Sequence, residues 1–225
     1  MNDVTIRKGT PDDSYAVYQI FRSALTDLGR RLGVMAITGG DDPQVRAELW
    51  QRRRPLFEHL ARTADQYWIA EQNGDAVGYA RSIVRDGIWE LTEYFVLPRL
   101  QSAGLGRRLL QCVAPPGDVR NKVIIATTDA RAQARYLKAG VYARFPLYYF
   151  SRPPEEVQVS SDLQIESMSG TPEELDALGA VDEQLLAHRR DEDHIWLNEQ
   201  RQGFLYRRGG QTVGYGYVGY HNGPF

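Results

Sequence analysis

The sequence predicts an α/β order with a central hairpin, and three observations carry that prediction. Short runs of β-branched and aromatic residues alternate with helical stretches along residues 1–152. Two of the strand-like runs are joined by Asn73-Gly74-Asp75, a strong hairpin signal. Farther on, the apolar run at Glu93-Tyr94-Phe95-Val96-Leu97 is broken by Pro98, passes through a glycine loop and becomes a basic-apolar helix start at Leu105-Gly106-Arg107-Arg108-Leu109-Leu110.

Taken in order, Val4-Thr5-Ile6-Arg7 reads as a first strand. Pro11-Asp12-Asp13 opens a helix to about Leu28, with Tyr15, Val17, Tyr18, Phe21 and Leu25 partly on one face. Gly33 to Asp42 is a loop. Pro43 starts a second helix that carries Leu49, Trp50, Leu56, Phe57 and Leu60 and is bent or interrupted at Pro55. The hairpin strands are Tyr67 to Glu71 and Ala76 to Val84, and Trp89 to Leu97 is the strand that enters the glycine loop. The helix after the loop ends by Pro115-Pro116-Gly117. Val123-Ile124-Ile125-Ala126-Thr127-Thr128 reads as a buried strand, residues 129–139 as a helix capped by Asp129 with Gly140 beyond its end, and Arg144 to Phe150 as a closing strand.

The strand–loop–helix segment is a ready anion site. Backbone amides at a helix N-terminus point at the loop, and glycine removes the Cβ atoms that would hold a phosphate away. A dinucleotide fingerprint does not fit, because Leu109 stands where its third glycine belongs, and no Gly-Lys-Ser/Thr follows to make a P-loop. The segment resembles the acyl-CoA signature V-x-P-x-x-Q/R-x-x-G-x-G/A of the GNAT family of N-acetyltransferases, with matches at Val96, Pro98, Gln101, Gly104 and Gly106. A second segment resembles the family's N-x-x-A-x-x-x-Y-x-x-x-G-F/V at Ala132, Tyr136, Gly140 and Val141, with Asp129 in place of the usual asparagine.

The resemblance implies a GNAT fold over residues 1–152, in which a mixed central sheet flanked by helices splays beside a bulged fourth strand and the acyl chain and pantetheine lie in the opening. It implies acetyl-CoA as co-substrate, no metal, and transfer of the acetyl group to a primary amine of a small molecule or peptide. The cofactor contacts it implies are Phe95, Val96 and Leu97 on the strand, Gln101, Ser102, Ala103, Gly104, Leu105, Gly106 and Arg107 at the loop, and Asp129. Such a transfer needs a base for the protonated amine, a donor for the thioester carbonyl and an acid for the departing thiolate. By the resemblance Tyr136 is the acid. Glu93 is the first choice of base, because strand periodicity sets Glu90 and Glu93 on opposite faces and family members carry a glutamate at Glu93's place. The other reading is a catalytically weak acyl-CoA-binding module of a tandem protein.

Composition narrows the classes. The 225 residues are 42% hydrophobic and 25% charged with a net charge of −2, and the pI near 6.1 favours no nucleic-acid partner. No apolar run is long enough to cross a bilayer, and the N-terminus lacks a signal-peptide core, so a cytoplasmic location is expected. The single Cys112 excludes an internal disulfide and reads as core. His188 and His194 are spaced poorly for a metal site. Arg52-Arg53-Arg54 reads as a solvated face or a determinant for an acidic acceptor, and Asp41 and Asp42 as a cap or a lure for a cationic amine.

After the linker at 153–160 the pattern restarts. Leu163-Gln164-Ile165-Glu166 resembles Val4 to Arg7, Gly170-Thr171-Pro172 resembles Gly9-Thr10-Pro11, and Gly203 to Tyr217 resembles Tyr67 to Tyr79. Residues 161–225 are therefore expected to be a partial second GNAT-like repeat that stops before a glycine loop. It is either cut short or serves as a lid, a scaffold or a homodimerisation element.

Overall fold

The computed structural model describes residues 4–33, 43–101, 104–115, 117–148, 155 and 158–219. The chain forms two compact units, Met1–Val141 and Tyr142–Phe225.

The first unit holds β1 (Val4–Lys8), α1 (Ser14–Leu32), α2 (Pro43–Thr63), β2 (Gln66–Gln72), β3 (Asp75–Arg85), β4 (Ile88–Val96), α3 (Leu105–Cys112), β5 (Asn121–Val123) and α4 (Ala130–Lys138). Its five strands run in the order β1-β2-β3-β4-β5, antiparallel except for the β4–β5 pair. The β2–β3 turn is the expected two-residue hairpin, with Asn73 and Gly74 both at positive φ. Gly33, also left-handed, ends α1. Pro55 sits inside a continuous α2.

The sheet buries both faces. One face packs Ala80, Trp89, Leu91 and Val96 against Leu105, Leu109 and Val113 of the α3 segment. The other packs Tyr67, Ile69 and Tyr79 against Val17, Tyr18 and Ile20 of α1 and Phe57 of α2. At about 1.5–3 kcal/mol for each buried large apolar side chain, these two layers supply the main driving force for this unit.

A β-bulge governs everything that follows. Register on β3 moves from Arg81↔Glu93 to Ser82↔Leu91, so Thr92 is the extra residue on β4. A bulge inverts side-chain parity along its strand. Trp89 and Leu91 lie on the α3 face before it, and Tyr94 and Val96 lie on that face after it. Glu90 and Glu93, paired with Ile83 and Arg81, consequently share the α1–α2 face. Strand period alone put them on opposite faces, and the bulge corrects that.

The bulge also explains a shorter β5. The expected strand from Val123 to Thr128 is paired only at Asn121–Val123, against Ile88–Glu90. Beyond that point β4 bends away, and residues 124–127 have no ladder partner and are largely exposed. The expected closing strand from Arg144 to Phe150 also differs. Residues 144–148 form no strand and are exposed, and Pro146 in their midst lacks the N–H a ladder needs; Tyr149 and Phe150 lie outside the described residues. The unit boundary accordingly falls ahead of the proline-rich stretch.

The second unit holds β6 (Gln164–Ser167), α5 (Pro172–Leu186), α6 (Asp191–Gln200), β7 (Gln202–Arg208) and β8 (Gln211–Val218), with sheet order β6-β7-β8. This β-α-α-β-β order is that of β1 to β3. Details match as well. Thr171 and Glu174 form a reciprocal capping box at 2.9 and 3.3 Å, and the Asp13 carboxylate accepts from the Thr10 amide at 2.8 Å. Both hairpins carry a bulge three residues before the turn begins, at Ala70/Glu71 and at Tyr206/Arg207.

Candidate active site

The parting of β4 from the chain after β5 leaves a cavity of about 150 Å³ in the first unit. Its walls are Leu91 to Val96 of β4, residues 124–127, Ala24, Leu28 and Arg31 of α1, and the inner side of α4. Gln101 closes it on the glycine-loop side.

Along this wall β4 is a free edge. The Leu97 amide is committed to the Val77 carbonyl at 2.9 Å. Antiparallel ladders alternate, so Phe95 faces β3 as Leu97 does, and Tyr94 and Val96 turn their backbone groups toward the cleft. Of the three amides expected to meet a pantetheine arm, the one aimed at the opening belongs to Val96. The Val96 carbonyl takes a 3.0 Å hydrogen bond from the Gln101 side chain, which ties the loop to the strand.

The two glycines serve different ends. Gly104, just before α3, adopts φ +82° with open space around it, so its requirement is conformational. Gly106 has buried, ordinary backbone, and its requirement is space: a Cβ there would overlap the Tyr94 hydroxyl, with Arg135 Nη1 3.5 Å away. Leu105 is buried in the core, so only its backbone can serve the loop. Arg107 is exposed, and Arg108 donates to the Val4 carbonyl at 3.2 Å. Ser102 and Ala103 lie outside the described residues, as do Asp41 and Asp42.

Tyr136, on α4, faces the cleft and meets Tyr94 edge-on at 6.3 Å between ring centres. Burial, reinforced by Tyr94, pushes its phenol well above the ordinary value. It therefore keeps its proton at neutral pH. Asp129 caps α4 by accepting from the Arg131 amide at 2.9 Å. The Arg131 side chain first, and Arg31 across from α1 at 3.1 Å, hold its carboxyl well below the usual carboxylate range. Asp129 thus links α1 to α4 across one end of the cleft.

Glu93 lines the cavity on the α1 side, with its side chain 10% exposed. It is paired with Arg81, whose Nε donates to Oε2 at 2.7 Å and whose Nη2 reaches the same oxygen. Glu90, on the same face, does not line the cavity.

Arg31, Arg81, Tyr94, Arg131 and Arg135 belong to this site and escaped the sequence reading. Arg81 left a trace there, a charged residue in phase with Tyr79 and Ile83 on an otherwise apolar strand. Arg131 and Arg135 left another, at i and i+4 on the helix that carries Tyr136. Arg31 left none, because its approach to Asp129 is purely tertiary. Elsewhere, Arg54 pairs with Glu58 at 2.6 Å, and Arg53 lies over the Phe21 ring at 5.5 Å. Among the described residues, no group of three or more His, Cys, Asp or Glu side chains could hold a metal ion, and no helix is long and apolar enough to cross a membrane.

No curated protein matches the chain by sequence. A putative acetyltransferase from Pyrococcus horikoshii shares its fold with a TM-score of 0.61 at 17% identity, covering 97% of this chain and 68% of that one. Two further structures are a GNAT family acetyltransferase from Brucella melitensis in complex with acetyl-CoA and an aminoglycoside acetyltransferase from an uncultured soil metagenomic sample in complex with sisomicin. The first has 20% identity and a TM-score of 0.42, covering 72% of this chain and 97% of its own. The second has 15% identity and a TM-score of 0.46, covering 67% and 97%. The family model "Acetyltransferase (GNAT) family" matches residues 21–140, more than half of the 225, and takes in β4, the glycine loop and Tyr136. The chain belongs to the GNAT acetyltransferase family.

Proposed function

We propose that this protein transfers an acetyl group from acetyl-CoA to a primary amine of a small molecule or peptide by direct attack. The observation that carries the reading is the free edge of β4, which runs from Glu93 to Val96 past Tyr136 in a single cleft that Gln101 closes on the glycine-loop side. The residues fit acetyl-CoA. The backbone amides of the first turn of α3, beside the Tyr94 hydroxyl and Arg135, suit a phosphate. The Val96 amide suits the extended arm that leads from the phosphates to the thioester.

In the reaction the amine nitrogen forms a bond to the thioester carbonyl carbon, and the carbon–sulfur bond breaks. Glu93, directly or through a water, accepts the proton the amine must lose. Tyr136 gives its proton to the departing thiolate, and its buried, protonated phenol is suited to that task. Arg31, Arg131 and Asp129 hold α1 and α4 on either side of the cleft.

Residues 161–225 are a partial second copy of the same unit in this reading, supported by the shared β-α-α-β-β order and the matching hairpin bulges.

The test is release of free CoA thiol from acetyl-CoA against polyamines, aminoglycosides, amino acids and short peptides. Amine-dependent release by the wild type, falling at least about tenfold in Glu93→Gln, is the expected result. Acetyl-CoA binding without release in any amine would replace the enzyme by an acyl-CoA-binding module.

A further inference from the structure

We infer that Arg81 is a positioning residue that fixes the Glu93 carboxylate in the cleft wall, a role that rests on the proposed reading of Glu93 as proton acceptor. Arg81 is wholly buried. A buried guanidinium is costly unless it is paired and its hydrogens are used. Here Nε and Nη2 both engage Glu93 Oε2, and Nη1 donates to the Phe57 carbonyl at 2.8 Å. The rings of Tyr67, Phe57 and Tyr79 surround its Cζ at 5.1, 5.3 and 5.6 Å.

That enclosure gives the guanidinium one place to be. Arg81 takes a single oxygen of Glu93, and the carboxylate, anchored through it, sits at the cavity surface with its second oxygen not taken by Arg81. Apolar residues at positions 81 and 93 together would pack as well at lower desolvation cost, since replacing a buried ion pair by hydrophobic residues is often neutral or stabilising. What the pair adds is a carboxylate of fixed orientation where strand geometry alone leaves a long, flexible side chain. The bulge at Thr92 makes this arrangement: it brings Glu93 opposite Arg81 and onto the face of α1.

The experiment is a kinetic cycle of Arg81→Met, Glu93→Gln and the double variant, with Arg81→Lys beside them. Each is assayed for kcat and KM with acetyl-CoA and the best amine of the panel, for acetyl-CoA affinity and for melting temperature. Arg81→Met should lower kcat at least about tenfold while acetyl-CoA affinity stays within about twofold, and Arg81→Lys should recover part of the loss. The double variant should turn over no more slowly than Glu93→Gln, because Arg81 acts through Glu93. Arg81→Met leaves a buried carboxylate without its counter-ion and is the variant most at risk of unfolding. The double variant removes both charges, should melt higher, and keeps the comparison with Glu93→Gln available.

Full kcat in Arg81→Met beside an impaired Glu93→Gln would overturn the role of Arg81 alone. So would a double variant slower than Glu93→Gln by the full Arg81 factor. Full activity in Glu93→Gln would overturn the reading of the base and this inference with it.

Discussion

Replacing Gly106 by alanine separates the anion cradle from the fold around it. The change adds one methyl at the second residue of α3. On helix propensity alone it should stabilise by roughly 0.5–1 kcal/mol. The added carbon overlaps the Tyr94 hydroxyl, however, and Tyr94 is held between Gly106 and α4. Overpacking of this kind costs about 1–3 kcal/mol. The net loss is about 1 kcal/mol, or a fall in melting temperature of roughly 2–4 °C for a chain of this size. In Tyr94→Phe the overlapping atom is gone. The nearest neighbours are then the former Cζ at 3.3 Å and Arg135 Nη1 at 3.5 Å, contacts that a small shift relieves. The double variant Gly106→Ala/Tyr94→Phe should melt no lower than Tyr94→Phe. Acetyl-CoA affinity should fall at least about tenfold in Gly106→Ala, because the methyl pushes the Tyr94 ring into the cleft it lines, and should largely return in the double variant. Gly104→Ala is the control. Its strain at φ +82° costs about 1–2 kcal/mol with nothing pushed into the cradle, so affinity should hold. Titration calorimetry with acetyl-CoA beside thermal melts reads both quantities. Wild-type affinity in a folded Gly106→Ala would refute the cradle.

Three further outcomes follow from the same geometry. Tyr136→Phe should lower kcat by at least about tenfold with acetyl-CoA affinity retained, and unchanged turnover would remove Tyr136 as the acid. In the second unit, Asp182 is buried and accepts hydrogen bonds from Arg190 at 2.8 and 3.0 Å and from Tyr215 at 2.5 Å, with His194 Nε2 at 2.9 Å. Burial works against its ionisation, but His194, Arg190 and Tyr215 outweigh burial and hold its carboxyl well below the usual range. Its stabilisation is thus fully present above the ordinary carboxyl pKa of about 4 and is lost as pH falls through the lower folded value. Asp182→Asn should cost about 3–5 kcal/mol at neutral pH, read as faster hydrogen exchange in β7 and β8, and unchanged protection would contradict the network's role. Thr171→Ala should cost about 1 kcal/mol through the lost cap of α5, measured by thermal melting.

What the sequence disclosed was local and periodic. The Asn73-Gly74 turn, the helix starts at Pro11 and Pro172 and the run into Gly104 and Gly106 each depend on a few adjacent residues. The bulge at Thr92 does not. A bulged fourth strand was implied by the family resemblance, but its place at Thr92 has no signature in side-chain type, and by inverting parity it moved Glu90 to Glu93's face and left residues 124–127 unpaired. Tyr136 and the glycine loop stood out because they fall on motifs of a known family. Arg31 acts by closing a distance to Asp129, far away in sequence, which period and propensity do not encode. Arg81 was visible as an anomaly on an apolar strand, and its partner became evident only with the β3–β4 register.

The central claim, acetyl transfer to an amine, is tested most directly by following the acetyl group itself. Acetyl-CoA labelled in the acetyl carbon is incubated with the amine panel and the full chain, and the products are separated and identified by mass. Label is expected in an amide of at least one acceptor, with the yield collapsing in Gly106→Ala and in Glu93→Gln. Label that never leaves CoA with any amine, in a protein that acetyl-CoA still stabilises against heat, would contradict it.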